Sequence, residues 1–276
     1  MGDYEDWEGW REQEDERPRD AAIDRAKQAI EELLGERSRE VFYGRQVEIL
    51  LERRFFHWIT SFALRELIGE GEIGRERVEL EAGGNVWVQF VFSRGHRYRR
   101  RQISRAIGII REFSRVAGAS GSYAEVLFQL GFLKKGFELL DEGVNEYEGK
   151  VWRKSGHDLD FVIKRDGVVY GVEVKNRLDY IEKRELVLKL EMCDALGLVP
   201  LFVMRQAAKS YNHMVIERGG YALLFGTQIY PPGQEKLVER MREVLGLPAV
   251  CSREIPEGFM ERFLRWHKKK AGRGEL

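Results

Sequence analysis

The chain has 276 residues, of which 43% are hydrophobic and 33% are charged. This length is enough for one large domain or two ordinary ones. Lysine plus arginine equal aspartate plus glutamate at 46 each, which excludes a uniformly basic coat for binding nucleic acid. A nucleic-acid partner would therefore have to be met by a local basic patch.

The sequence also excludes several cellular settings. No window approaches roughly 18 consecutive apolar residues, and the N-terminus is acidic where a secretion signal would be basic and then apolar. The two cysteines, Cys193 and Cys251, match neither a metal-binding spacing nor a disulfide framework. We therefore expect a cytoplasmic protein with reduced thiols and no membrane span.

The N-terminal half begins with a charged segment and continues with helical patterns. Residues 1–20 carry nine acidic and three basic side chains, which predicts a flexible acidic tail. Apolar periodicity predicts helices over about 20–34, 40–54 and 56–68, and then a two-stranded ribbon across the turn Gly83-Gly84-Asn85. Three helices and a ribbon are the order of a winged helix, so we expect residues 21–118 to form a winged-helix-like domain that binds DNA.

The most basic stretch of the chain follows the ribbon directly. Its guanidinium groups match phosphate oxygens in pairs, so we expect it to contact DNA. An alternative is a solvated face that pairs with the acidic tail. The candidate DNA-binding residues are Arg94, Arg97, Arg99, Arg100, Arg101 and Arg105. A helix is predicted over about 102–116, and the glycines at 118 and 121 predict the domain boundary.

Residues 119–276 predict a second domain of mixed α/β (α+β) class, with helices around a central sheet. The predicted order begins with a helix to about Leu130, two extended segments and a hairpin over 158–176. It continues with a helix over 182–196, a strand over 199–204, a helix over 207–217, a strand over 221–225 and two C-terminal helices.

The hairpin carries the most informative pattern. Asp166-Gly167 between two β-rich runs predicts a two-residue turn, because both central positions need positive φ. Equal steps outward from that turn place Asp160 opposite Glu173, with Lys175 on the same face. The other face, from Leu159 and Phe161 onward, is apolar and is expected to face the core.

Two opposed carboxylates repel each other unless a cation lies between them. Oxygen ligands from Asp160 and Glu173, with the main-chain carbonyl of Val174 and water, suit Mg²⁺ or Mn²⁺. Such an ion activates water and polarises a phosphate, and Lys175 can stabilise the added negative charge. The alternative is a surface salt bridge between Glu173 and Lys175. Asp158 competes with Asp160 for the metal role, and we expect it to pair with Lys175 or to support the metal ligands. We expect the helix lysines Lys183 and Lys189 to be solvated, with contact to the phosphate as the alternative.

Asp160, twelve intervening residues and then Glu173-Val174-Lys175 resemble the motif of the PD-(D/E)XK nuclease superfamily, which includes restriction enzymes and archaeal Holliday-junction resolvases. The element order from Ser122 to Met204 is similar to the core of that superfamily, about 110 residues. The motif departs at its first position, where Leu159 replaces proline. The resemblance implies a restriction-endonuclease-like central sheet, catalytic roles for Asp160, Glu173 and Lys175, and an acidic residue on the first helix, where Glu125 stands.

The sequence therefore predicts a metal-dependent endonuclease that acts on DNA, without a small-molecule cofactor and with a homodimer as one arrangement. An alternative from another class is an inactive nuclease-fold protein that binds DNA or a transcription or repair factor as a regulator. A nuclease that acts on RNA is also compatible with the sequence.

Overall fold

The computed structural model describes residues 20–81 and 86–272, which fold into α-helices and mixed β-sheets. These residues divide into two compact units. The first comprises residues up to Arg115 together with Glu239–Leu247, and the second comprises Val116–Val238 and the residues from Pro248 onward. No helix within the described ranges is long and apolar enough to cross a membrane. The predicted acidic tail, apart from Asp20, and the turn at 83–85 lie outside these ranges.

The first unit combines helices with a three-stranded antiparallel sheet of order β1-β3-β2. Helix α1 begins where the Asp20 carboxylate accepts a hydrogen bond of 2.8 Å from the Ala22 N–H, as a helix N-cap does. The apolar side of α1 packs against α3, and side chains of α2 and the sheet complete the core of the unit. The elements are α1 (Ala21–Glu36), β1 (Val41–Tyr43), α2 (Gly44–Leu51), α3 (His57–Gly69), β2 (Ile73–Glu79) and β3 (Trp87–Ser93).

The second unit is built on a five-stranded mixed sheet of order β10-β9-β8-β7-β4. Strands β8, β9 and β10 run parallel, whereas β7 is antiparallel to both β8 and β4. Helix α4 (Arg99–Lys134) begins in the first unit and continues into the second. The elements that follow it through the sheet are β4 (Glu138–Val144), β5 (Glu146–Tyr147), β6 (Lys150–Val151), β7 (Leu159–Arg165), β8 (Val168–Lys175), α5 (Lys183–Leu196), β9 (Val199–Met204), α6 (Lys209–Glu217) and β10 (Tyr221–Leu224). The remaining elements are β11 (Gln228–Tyr230), α7 (Glu235–Leu245), β12 (Ala249–Cys251) and α8 (Glu257–Ala271), of which α7 belongs to the first unit from Glu239 onward.

Three predicted elements differ from the structure. The helices expected over 102–116 and to about 130 are one helix, α4, and the glycines at 118 and 121 lie inside it. Glycine weakens a helix by only about 1 kcal/mol, and α4 buries apolar side chains on both sides of these positions. The segment 40–54, which was expected to be one helix, begins with a short strand, β1, that pairs with β3, and the helix α2 follows it. The short parallel pair β11–β12 was not predicted.

Helix α8 is bonded to the β7–β8 hairpin through one buried imidazole. Nδ1 of His267 lies 2.7 Å from the Tyr170 hydroxyl, and Nε2 lies 3.0 Å from the Asp166 carboxylate. His267 is fully buried among aromatic rings that include Phe263 and Phe137. The hairpin turn is therefore held in place by the C-terminal helix.

Candidate functional site

The β7–β8 turn has the geometry that its residues predict. Asp166 and Gly167 both lie at positive φ, 48° and 75° respectively. Arg165 pairs directly with Val168, so the loop contains two residues. Positive φ at both central positions is the type I′ pattern that aspartate followed by glycine favours. The predicted turn is confirmed, and it fixes the register of the strands outward from it.

That register brings Asp160 and Glu173 together at the far end of the hairpin. The last paired residues of the ladder are Phe161 and Val172, so Asp160 and Glu173 are one step beyond it. Oδ2 of Asp160 accepts a hydrogen bond of 2.6 Å from the main-chain N–H of Val174. The Asp160 side chain thus satisfies a donor of β8 at the point where the two strands separate.

Both faces of the hairpin are covered by packed side chains, whereas the sequence predicted a core contact for one face only. Phe161 and Val172 pack into the central core on one side. On the other side α5 packs Met192 and Cys193 against the sheet. Leu159, which was predicted to share the face of Phe161, lies in this second cluster. The second face is covered because β8 and β9 are parallel, and the connection between parallel strands carries a helix, here α5, that packs on the sheet.

Enclosure strongly perturbs Asp160. Burial raises the pKa of this carboxyl from 3.8 to about 7, and repulsion from Glu173 adds to the increase. The hydrogen bond from Val174 and the charge of Lys175 act in the opposite direction but are outweighed. A carboxyl group that is difficult to ionise next to a second acid is a feature of functional sites.

Glu173 and Lys175 form an ion pair at the end of β8. Oε1 of the fully buried Glu173 lies 2.6 Å from Nζ of Lys175, and no hydrogen-bond donor reaches this oxygen in good geometry. Nζ of Lys175 also lies 2.9 Å from Oε1 of Glu185 on α5. Burial alone would lower the pKa of Lys175, but attraction to Glu173 and Glu185 raises it above its ordinary value. Lys175 therefore remains an ammonium group.

Lys189 on α5 reaches the same carboxylate. Its Nζ lies 2.7 Å from Oε2 of Glu173 and also donates a hydrogen bond to the main-chain carbonyl of Asp158. The expectation that Lys189 is solvated was wrong, since only 5% of its side chain is exposed. Lys183, on the first turn of the same helix, is exposed as expected. Sequence reasoning missed Glu185, and it considered Lys189 without predicting its contact with Glu173.

Glu125 approaches the cluster from α4. Burial raises the pKa of its carboxyl group, and its charge interacts with Lys175, Glu173 and Lys189. Glu125 in turn contributes to the raised pKa of Asp160. The three predicted acids, Glu125, Asp160 and Glu173, therefore lie close enough for each to affect the charge of the others. Asp158, expected to pair with Lys175, instead has an exposed side chain and contributes its main-chain carbonyl.

The end of β8 is anchored by the residue that follows Lys175. The Asn176 side chain donates to the carbonyls of Ser120 and Ile229, at 2.9 and 2.6 Å, and accepts from the Ile229 N–H. The fully buried Arg205 holds the next loop through the carbonyls of Arg177 and Leu178. These bonds fix the position at which β8 ends, and they keep Glu173 and Lys175 in place relative to α4.

The candidate DNA-binding arginines all lie between the end of β3 and the first turns of α4. Five of them have exposed side chains. Arg99 is the exception, because it pairs with Glu76 at 3.4 Å and donates to the His96 carbonyl. The exposed members are Arg94, Arg97, Arg100, Arg101 and Arg105.

Within residues 20–81 and 86–272, no group of three or more His, Cys, Asp or Glu side chains is arranged so that it could hold a metal ion. Mg²⁺ characteristically keeps several water ligands and uses only one or two protein carboxylates. Comparisons with protein-family models, curated proteins and solved structures found no match for this chain. The candidate function therefore depends on the chemistry of the cluster itself.

Proposed function

We propose that this chain is a metal-dependent endonuclease that hydrolyses phosphodiester bonds in DNA. The observation that carries the proposal is the raised pKa of Asp160, about 7, at the hairpin end where it meets Glu173. Protein interiors avoid such arrangements unless a ligand compensates for them. Asp160, Glu173 and Lys175 are the proposed catalytic residues, with Glu125 as the acid contributed by α4.

The donor set fits Mg²⁺ or Mn²⁺. Asp160 is destabilised as an anion and would therefore gain from a cation, and Oε1 of Glu173 is buried with the Lys175 ammonium group as its only near cationic contact among the described residues. These two carboxylates and the main-chain carbonyl of Val174 would hold the ion. When bound, it would supply Lewis-acid polarisation of the phosphate and an activated water. Lys175 contributes a fixed positive charge for the negative charge that develops on the phosphoryl oxygens.

The fold is compatible with this assignment. Apart from the short β5–β6 pair, a helix, three antiparallel strands (β4, β7 and β8), a helix and a parallel strand occur in that order from α4 to β9, as in the PD-(D/E)XK core. In the first unit, a strand precedes the second helix and pairs with β3, beside the β2–β3 ribbon. We propose that these units are a restriction-endonuclease-like domain and a winged-helix-like domain.

The arginine run supports DNA as the substrate. Its members from Arg99 onward occupy the N-terminal turns of α4, which has no acidic residue in its first turn. The positive end of a helix dipole disfavours cations, so Arg99, Arg100 and Arg101 are unfavourably placed unless an anion is present. Backbone phosphates would supply that anion, and the exposed side chains of Arg100 and Arg101 are available to contact them.

The decisive experiment is incubation of the protein with linear, branched and single-stranded DNA, each in Mg²⁺, in Mn²⁺ and in EDTA. RNA is tested as a substrate in parallel. We expect metal-dependent cleavage of DNA that Asp160→Ala and Glu173→Ala abolish while folding and DNA binding persist. Lys175→Ala should also be inactive but should still bind metal. Glu142→Gln, an exposed change on β4, is the control. DNA binding without cleavage by the wild type would favour the regulator, and cleavage by Asp160→Ala at the wild-type rate would show that the site is misplaced.

A further inference from the structure

Helix α5 presents a Glu–Lys pair to the Glu–Lys pair of β8. Glu185 and Lys189 are four residues apart, so they share one face of the helix. Glu173 and Lys175 are two residues apart, so they share one face of the strand. Lys189 contacts Glu173 at 2.7 Å, and Glu185 contacts Lys175 at 2.9 Å. Each charged residue of β8 therefore has its own opposite charge on α5.

The burial of Lys189 distinguishes this contact from an ordinary salt bridge. Its side chain is 5% exposed and that of Glu173 is 1% exposed. Exposed ion pairs contribute little, and lysine is almost never fully buried unless it is paired. Lys189 also donates to the Asp158 carbonyl, two residues before Asp160. One ammonium group thus connects the beginning of β7 to the acid on β8.

We infer that Lys189 and Glu185 are positioning residues for the cleavage reaction, an inference that depends on the proposed nuclease function. Lys189 fixes Oε2 of Glu173, so that Oε1, which lies 2.6 Å from the Lys175 ammonium group, is the oxygen that would turn to the metal ion. Glu185 fixes the ammonium group of Lys175 at the end of β8. Helix α5 therefore orients both members of the Glu173–Lys175 pair before metal and substrate bind.

Lys189 is tested by measuring Mn²⁺ binding calorimetrically in the absence of DNA, followed by cleavage kinetics. Lys189→Met removes the ammonium group and keeps an unbranched chain. We expect it to weaken Mn²⁺ affinity and to lower kcat by about 10–100-fold, as loss of a residue that orients a metal ligand does. Lys189→Arg should recover part of both losses, and Lys183→Met on the exposed side of α5 should change neither.

The possible outcomes separate the two proposals. If Lys189→Met binds Mn²⁺ as tightly as the wild type or more tightly, the positioning role of Lys189 is overturned while the proposed function stands. If the wild type binds no Mn²⁺ and does not cleave DNA, the proposed function fails, and this inference fails with it.

Glu185 gives an independent test that does not require Lys189→Met to fold, because the Glu185 side chain is 22% exposed. Glu185→Gln should lower kcat by about tenfold and leave both the KM for DNA and the Mn²⁺ affinity unchanged, since Glu185 holds the lysine and not the ion. Glu185→Asp should recover part of kcat. Cleavage by Glu185→Gln at the wild-type rate would overturn the positioning role of Glu185.

Discussion

Replacing Asp160 with asparagine should change how the stability of the protein depends on pH. The unfolded Asp160 carboxyl titrates near 3.8, whereas the folded one titrates near 7 because it is buried beside Glu173. Between these values the folded protein keeps a proton that the unfolded chain has released. The stability that Asp160 contributes is therefore fully present below the unfolded pKa and is lost as the pH rises through the folded pKa.

The size of the effect follows from the two pKa values. A separation of about three pKa units corresponds to roughly 4 kcal/mol when the carboxylate is fully ionised. Integration over pH 5 to pH 8 gives a loss of about 3 kcal/mol in the free energy of unfolding of the wild type. Asp160→Asn keeps an acceptor for the Val174 N–H and cannot ionise. From pH 5 to pH 8, the free energy of unfolding of Asp160→Asn should fall by about 3 kcal/mol less than that of the wild type. At pH 8 the variant should therefore be the more stable of the two.

Chemical denaturation in EDTA at pH 5, 6, 7 and 8 measures this difference. Asp158→Asn is the matched control, because its exposed side chain lies only two residues away on the same segment. Adding Mn²⁺ at pH 8 should stabilise the wild type by mass action and leave Asp160→Asn unchanged. If the free energies of unfolding of the wild type and of Asp160→Asn change equally between pH 5 and pH 8, the reasoning is refuted, because Asp160 would then titrate in its ordinary range.

Two further predictions concern the arginine run and the packing of the hairpin. Replacing Arg99, Arg100 and Arg101 with alanine should lower the slope of log K against log salt by about two units, because Arg99 already pairs within the protein. Fluorescence anisotropy with duplex DNA measures the slope, and an unchanged value would place the run outside the interface. Gly171→Ala should destabilise the protein by about 1–3 kcal/mol in urea, because an added Cβ would lie 2.7 Å from a buried leucine side chain. Gly156→Ala, in open space, is its control, and equal stability of the two variants would contradict this packing.

The sequence was sufficient to predict the hairpin because its signals are local. Asp166-Gly167 can occupy two consecutive positive-φ positions, and strand periodicity then brings Asp160 to the level of Glu173 without any distant information. The apolar run Val199–Met204 was also predicted with the correct bounds, since a strand buried on both faces has an almost continuous apolar sequence.

The elements that were missed depend on partners distant in the chain. Strand β1 has three residues, and its pairing with β3 joins Val41 to Phe92, which no local pattern reveals. Lys189 belongs to a helix rich in charge, where a lysine is normally solvated. Its burial follows from the position of Glu173 after the β8–α5–β9 connection has folded back onto the sheet.

The contact of His267 with the hairpin has a consequence for synthesis of the chain. Asp166, in the turn, precedes His267 by 101 residues. A ribosome adds about 5–20 residues per second, so His267 is added to the chain roughly 5–20 s after the turn. During that interval the hairpin can form, but it lacks the contacts of α8. The hairpin can therefore gain its hydrogen bonds to α8 only after the C-terminal helix has been synthesised.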